Sequence, residues 1–206
     1  MKQGKQEKRR SKPNGDRRVD IADAALEIIA REGARHLTHR AIDRRLGIPE
    51  GTTSYYCRTK KELLEATLDR LLELDLADLK WMLEIAQEPP EAVDVDRIAE
   101  LLGRTFVDWL SPRKRKRTLA RCELMMEGAR KKTARKIESI GWEQIRGHLT
   151  ILLSLIGAKH PREAANATIA YGFGLVYGYA ISEEVQLDQR QIKDVLRQFI
   201  TMQKNA

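Results

Sequence analysis

An all-α chain is what this sequence predicts, with a small N-terminal three-helix unit ahead of a larger helical one. Three observations carry that reading. Apolar residues recur at three- and four-residue spacing from Val19 onward and nowhere alternate in the manner of a strand. Glycines and prolines fall between the periodic stretches, at Gly33, Gly47, Pro89, Pro90 and Pro112. Residues 37–64 hold two short helix patterns around a tight turn, followed by a third helix start.

The elements follow in order. Residues 19–32 form an amphipathic pattern that closes at Gly33. Thr38 is placed to cap a helix whose apolar positions Ala41, Ile42 and Leu46 share one side, and Gly47 supplies the left-handed residue that ends it. Ile48 is expected as a buried plug. Pro49 and Glu50 suit a first helical turn, and Gly51, Thr52, Thr53, Ser54, Tyr55 and Tyr56 make one short helix led by small side chains that let a backbone approach base edges. That layout is a helix-turn-helix reader of DNA. Thr59 and Glu62 form a capping box that restarts a helix, whose free amides, with Lys60, attract a phosphate. From there Leu63, Leu64, Thr67, Leu68, Leu71, Leu72, Leu76 and Leu79 make a stripe expected to run until Glu88, Pro89 and Pro90 stop it. Further helices are predicted over residues 96–110, 114–130, 134–157, 162–181 and 189–203, with no internal repeat and no heptad run.

The ordered series of a helix over 19–32, a second opened by Thr38, then Leu46, Gly47, Ile48, then Gly51, Thr52, Thr53, then Tyr55 and Tyr56 ahead of Thr59, Lys60, Lys61, Glu62 and Leu63 resembles the TetR family of bacterial regulators over residues 19–65. The resemblance implies a basic arm (1–18), a helix-turn-helix DNA-binding domain (19–65) and a helical ligand-binding and dimerisation domain (66–206). It implies that Arg40, Gly51, Thr52, Thr53 and Tyr55 face bases, while Thr38, Tyr56, Arg58 and Lys60 hold phosphates. The chemistry agrees with those roles: an arginine makes two bonds to guanine, threonine methyls meet thymine methyls, and a lysine is a point charge for the backbone. Plainer readings stand beside them, a surface pair of Arg40 with Asp43 and packing of Tyr55 or Tyr56 beneath the reader. The family more often has an aromatic where Ser54 stands and a phenylalanine where Cys57 stands, which leaves the role of Ser54 open.

Charge is uneven along the chain. The net charge is +8, and residues 1–18 hold eight Lys or Arg against Glu7 and Asp16, whereas residues 19–65 balance eight basic against eight acidic side chains. An arm of that composition cannot bury enough apolar surface to order itself, and it suits either phosphate contact or plain solubility. It has no apolar stretch of the kind a secretory signal needs. No apolar run is long enough to cross a bilayer, since residues 170–181 are interrupted by Gly172, Gly174 and Gly178, so a soluble cytoplasmic protein with no membrane partner is expected. Cys57 and Cys122 stand far apart without histidine neighbours, which argues against a disulfide framework, zinc or any other metal site. No cofactor motif is present: the glycines at 172, 174 and 178 have the wrong spacing for a dinucleotide loop, and no signature of a hydrolase, zinc protease or phosphate loop occurs, so an enzyme is not expected.

Two features remain for the larger domain. Trp81, Phe106, Trp109, Met125, Met126, Trp142, Tyr171 and Tyr177 are candidates for the ligand pocket that the resemblance implies, with Tyr171, Gln144 or His148 as its few polar anchors. Such a lining suits a hydrophobic or aromatic small molecule, although the same residues also make ordinary core. Small residues four apart at Gly174 and Gly178, with Ile192, Leu196 and Phe199 on the last helix, would form a four-helix bundle between two subunits, or else pack within one. The basic residues 113–117 are expected to be a solvated loop or an additional phosphate-attracting patch. The sum is a homodimeric, ligand-responsive regulator, a repressor by preference, that reads a palindromic double-stranded operator. The alternative is a nonspecific nucleoid-associated DNA-binding or adaptor protein.

Overall fold

The computed structural model describes residues 14–130, 132–182 and 188–206, without the side chains of 14–16 and 132–141. Among the described residues the chain forms ten α-helices and two single 3-10 turns, and no strand. They are α1 (Asn14–Glu32), α2 (His39–Leu46), α3 (Thr52–Tyr56), α4 (Lys60–Asp78), α5 (Trp81–Ile85), α6 (Val95–Leu110), α7 (Arg115–Arg130), α8 (Lys132–Leu155), α9 (Pro161–Ile181) and α10 (Gln189–Asn205).

Two boundaries differ from expectation. Helix α1 begins at Asn14, five residues ahead of Val19, so the end of the expected arm is helical; residues 1–13 of that arm lie outside the described residues. Tertiary contact accounts for the extension, because the Arg18 guanidinium donates to the Tyr56 carbonyl at 3.0 Å, where α3 ends. The leucine stripe expected to run to Glu88 breaks after Asp78, and the short α5 starts at Trp81 after Leu79 and Lys80. The break carries Leu79, Met82 and Ile85 into the core of the larger unit, and the Trp81 indole donates to Thr105 on α6 at 3.1 Å.

The predicted caps form. The Thr38 hydroxyl accepts from the Ala41 amide and the Thr59 hydroxyl from the Glu62 amide, each at 3.1 Å. Two caps went unnoticed in the sequence, Asp94 on α6 and a full capping box of Asp188 with Gln191 on α10.

Two apolar clusters result. One gathers Ile21, Ala25, Ile28 and Ile29 of α1 with Leu37, Ile42, Cys57, Leu63, Leu68 and Leu71, and also takes in Ala120 and Leu124 of α7. The other is built around Ile98, Leu102, Phe106 and Trp109 of α6, with α8, α9 and α10. Helix α7 therefore belongs to the core of the N-terminal unit as well as to the larger domain.

Between the clusters lies a group of charges. Asp75 and Asp78, one turn apart at the end of α4, face Lys114, Arg117 and Arg121 at the start of α7. The Arg121 Nε donates to Asp75 at 2.9 Å, with a second bond from its Nη2, and the guanidinium lies 4.3 Å from the Trp109 ring centre. Burial opposes the Arg121 charge, yet Asp75 outweighs it and holds the pKa above the ordinary arginine value. Asp78 accepts from Lys114 at 2.6 Å, from the Trp109 indole at 2.7 Å and from Arg117. The run 113–117 is thus only partly solvated: Arg113 and Lys116 are exposed, but Lys114 reaches Asp78 and Asp108, Arg115 donates to the Ala180 carbonyl at 2.7 Å, and Arg117 is held by Asp78.

Removing one partner of a buried pair strands the other charge, so Arg121→Leu should cost about 3 to 5 kcal/mol in urea unfolding, and adding Asp75→Leu should recover part of that loss. Acid should weaken the same group. Burial raises the Asp78 pKa, but the hydrogen bonds from Lys114 and Trp109 and the nearby Arg117 overcome it and hold the carboxyl below its ordinary 3.8. A depressed folded pKa means that the stabilisation is complete above the ordinary value and disappears as pH falls through the depressed one. Unfolding free energies measured down to about pH 2 should therefore fall less steeply in Asp78→Asn than in the wild type.

Candidate DNA interface and ligand cavity

The turn between α2 and α3 depends on two left-handed glycines. Gly47 closes α2 at φ 61° and ψ 37°, and Gly51 opens α3 at φ 91° and ψ −11°, regions that a side chain disfavours. Asp43, on α2 and 2 % exposed, fixes the geometry from beneath. Its carboxylate accepts from the amides of Gly51 (2.8 Å) and Thr53 (2.9 Å) and from the Thr53 hydroxyl (2.6 Å). A carboxylate of the second helix thus caps the third, and its charge is matched by three donors.

This arrangement corrects the sequence reading at Thr53 and adds detail at two of its neighbours. Thr53 is fully buried with its hydroxyl committed to Asp43, so it does not face bases. Arg40 pairs with Glu50 at 2.5 Å, not with Asp43, and its side chain is 82 % exposed. Thr52 is half-buried and donates its hydroxyl to the Pro49 carbonyl at 2.6 Å, which leaves its methyl as the group for a base contact.

The other expected contacts are distributed around that staple. Tyr55 is 76 % exposed, while Tyr56 is half-buried at a ring-centre distance of 5.2 Å and nearly perpendicular to it. One tyrosine is open and the other packs. Thr38, Ser54, Arg58 and Lys60 are exposed. Glu62 holds the Arg58 amide at 2.9 Å, which sets the corner between α3 and α4. Cys57 is buried, and burial pushes its thiol above the ordinary value, which makes it a packing residue that is slow to oxidise. His39 bridges to the Cys57 carbonyl at 2.6 Å.

A cavity of about 30 Å³ lies in the larger domain. Its wall is Leu79 and Met82 at the α4–α5 corner, Leu102, Phe106 and Trp109 of α6, Ile145 and Leu149 of α8, and Thr168, Ile169, Gly172 and Phe173 of α9. Phe106 and Trp109 are where the sequence reading expects them. Trp81, Met125, Trp142, Tyr171 and Tyr177 are not in the wall, because each is held elsewhere. Trp81 is bonded to Thr105, Trp142 meets Phe173 edge-on at 4.4 Å, Tyr171 stacks on Phe199 at 4.1 Å, and Tyr177 donates to the Met125 sulfur at 2.6 Å. Tyr171, Gln144 and His148 are therefore not its polar anchors either. Among the described residues the one polar side chain of the wall without a hydrogen-bond partner is Thr168, a residue without any sequence signal. In the sequence Gly172 only interrupts an apolar run inside an expected helix, yet a Cβ there would lie 2.7 Å from the Phe106 ring. That glycine is what admits Phe106 to the wall.

Of the expected dimer residues, Ile192 and Leu196 are buried within the chain, 2 % and 0 % exposed, where α10 packs on α6. Gly103 makes the approach close, with Lys193 backbone 3.5 Å from where a Cβ would be. Gly174 and Gly178 are exposed with open space beside them, and Ala170 and Ile181 extend the same side of α9. Among the described residues no acidic, histidine or cysteine cluster could hold a metal, and no helix is long and apolar enough to cross a membrane.

Comparison with known proteins gives two family matches. Residues 21–67 match the bacterial regulatory proteins of the tetR family, and residues 93–202 match the tetracyclin repressor-like C-terminal domain. No curated protein matches the chain. Solved structures share the fold at low identity. A transcriptional regulator from Rhodococcus sp. Rha1 is 19% identical with a TM-score of 0.73, over 91% of this chain and 96% of that one. A TetR-family member from Streptomyces coelicolor A3 is 23% identical with a TM-score of 0.71, over 89% and 98%. The multidrug binding protein EbrR complexed with malachite green is 21% identical with a TM-score of 0.67, over 91% and 97%.

The staple has a direct consequence. Asp43→Ala leaves three donors without their acceptor and should cost on the order of 3 kcal/mol in denaturant unfolding, while Thr53→Val, which removes one hydroxyl, should cost about 1 to 2. In both variants the amides of Gly51 and Thr53 should exchange with solvent faster than in the wild type.

Proposed function

The chain belongs to the TetR family of bacterial regulatory proteins, a transcriptional regulator with a helix-turn-helix DNA-binding domain, and from that premise we propose a homodimeric repressor released from a palindromic operator by a small apolar or aromatic effector. Two readers related by the dimer axis enter successive major grooves, so half-sites lie about 10 base pairs apart. Arg40, Tyr55 and the Thr52 methyl read bases, with Gly51 close to them, while Thr38, Tyr56, Arg58 and Lys60 hold the backbone. The exposed side of α9, with Ala170, Gly174, Gly178 and Ile181, is the seam for the second subunit, and α10 contributes Phe199 at its edge.

The observation that carries ligand response is the double role of Trp109. Its ring forms part of the cavity wall, while its indole N–H holds Asp78 at the far end of α4, the helix that starts beside the reader. At 1.5 Å per residue α4 is about 28 Å long, so a tilt of about 5° at Asp78 moves its reader end by about 2 Å. A shift of that size in both subunits changes the spacing that two grooves demand.

Cavity size supplies the energetic direction. About 30 Å³ is far below the roughly 150 Å³ that accommodates benzene and the roughly 300 Å³ at which ligand pockets begin. An effector can enter only a widened state, so it binds the two states unequally, which is the requirement for shifting their balance. Widening presses on Trp109 and through it on α4.

Selection from a random duplex library at two salt concentrations tests the reading. The wild type should enrich a palindrome and hold it when salt is raised. Arg40→Ala should then lose about 1 to 3 kcal/mol on the selected site and little on random DNA, whereas Lys60→Ala should weaken both and lower the salt slope by about 1. If no sequence is enriched and binding is uniformly salt-labile, the protein is a nonspecific DNA-binding protein.

A further inference from the structure

Threonines inside helices ordinarily turn their hydroxyl back to the carbonyl one turn earlier. Four here do so: Thr67 to Leu63 at 2.7 Å, Thr105 to Leu101 at 2.9 Å, Thr150 to Arg146 at 2.7 Å and Thr201 to Arg197 at 2.8 Å. Thr118, fully buried, donates to the Trp109 carbonyl at 2.8 Å. Thr168 is different. It is 3 % exposed, its hydroxyl has no partner among the described residues, and it is part of the cavity wall. A buried hydroxyl without a partner destabilises a fold, and such groups in native proteins call for a functional account.

We propose that Thr168 is the polar anchor of the effector cavity, and that the effector is an uncharged ring compound with a single hydroxyl, a phenol or cyclic alcohol. The proposal rests on the effector reading of the cavity given above and names its chemistry. The ring follows from the wall, where the ring centres of Phe106 and Trp109 lie 5.9 Å apart and those of Trp109 and Phe173 6.5 Å apart, each pair tilted by 33°, and the remaining side chains are aliphatic apart from Thr168. The absence of charge follows from the same wall, which offers an ion no opposite charge among the described residues. The ions next to the Trp109 side chain are already engaged, Arg121 with Asp75, and Asp78 with Lys114 and Arg117. A single hydroxyl follows from Thr168 being the only side chain of the described wall with an unused polar atom. A second polar group on the guest would be buried unpaired. Water is a poor match for the site, since an internal water needs two to four polar partners.

The test titrates the full-length protein with phenol, toluene and benzyltrimethylammonium by calorimetry, and melts it without any of them. In the wild type phenol should bind more tightly than toluene, and the cation should not bind. Thr168→Val, which keeps the shape and removes the hydroxyl, should lower phenol affinity about tenfold, leave toluene unchanged, and melt at or above the wild-type temperature because the orphan hydroxyl is gone. Thr168→Ser should keep the preference for phenol. A threonine that only supports the fold predicts the reverse: Thr168→Val melts lower and the ratio of phenol to toluene affinity stays the same. That result overturns the proposal, as does binding of the cation as tight as that of phenol. Failure of both phenol and toluene to bind the wild type overturns it too, and operator selection by the same preparation shows separately whether the regulator reading stands.

Discussion

Asp75 and Asp78 sit where two hydrophobic clusters meet, and their neutralisation by Lys114, Arg117 and Arg121 is the constraint on which the rest of the architecture depends. Two carboxylates one turn apart would repel each other and resist burial if left alone. Three cations from the first turns of α7 make their burial tolerable, and in doing so they fix α7 against α4. Because α7 also places Ala120 and Leu124 in the core of the N-terminal unit, that lock joins the reader to the larger domain. Trp109 is the third side of it, with the indole N–H on Asp78 and the ring face beneath Arg121.

Hydrogen bonds are distributed unevenly around this lock. At the reader, Asp43 binds three donors and gives the short α3 an orientation that five residues could not hold alone. At the cavity the bonds are fewer: the wall leaves a narrow void, the Thr168 hydroxyl has no partner among the described residues, and the Phe106 ring lies where a Cβ at residue 172 would crowd it. Helix α4 thus runs from the edge of the reader to Asp78, which Trp109 of the cavity wall holds through its indole.

Much of the candidate interface was legible before any coordinates. Thr38, Gly47, Gly51 and Thr59 act locally, within one turn of the residues they cap or release, so composition and spacing were enough to place them. The family resemblance, not the local pattern, puts Arg40 and Tyr55 toward bases, and only the fold shows that Tyr56 is the tyrosine that packs. Thr53 was misread because its burial depends on Asp43, ten residues away on another helix. The pocket was harder still: aromatic side chains at helical spacing look alike whether they line a void or pack on one another. The partners that withdrew Trp81, Tyr171 and Tyr177 stand 24, 28 and 52 positions away.

The sequence by itself determined the helical class, the two-part organisation and the helix-turn-helix motif, because each rests on periodicity and capping within a few residues. Tertiary structure decided what the long-range pairings do. It made Lys114 and Arg117 of the basic stretch counter-charges for α4, assigned Ile192 and Leu196 to the chain's own core, broke the leucine stripe at Asp78, and left Thr168 without a partner among the described residues beside the cavity. A charge or a hydroxyl carries no mark of the partner it will meet, and only the packing of distant helices supplies or withholds one.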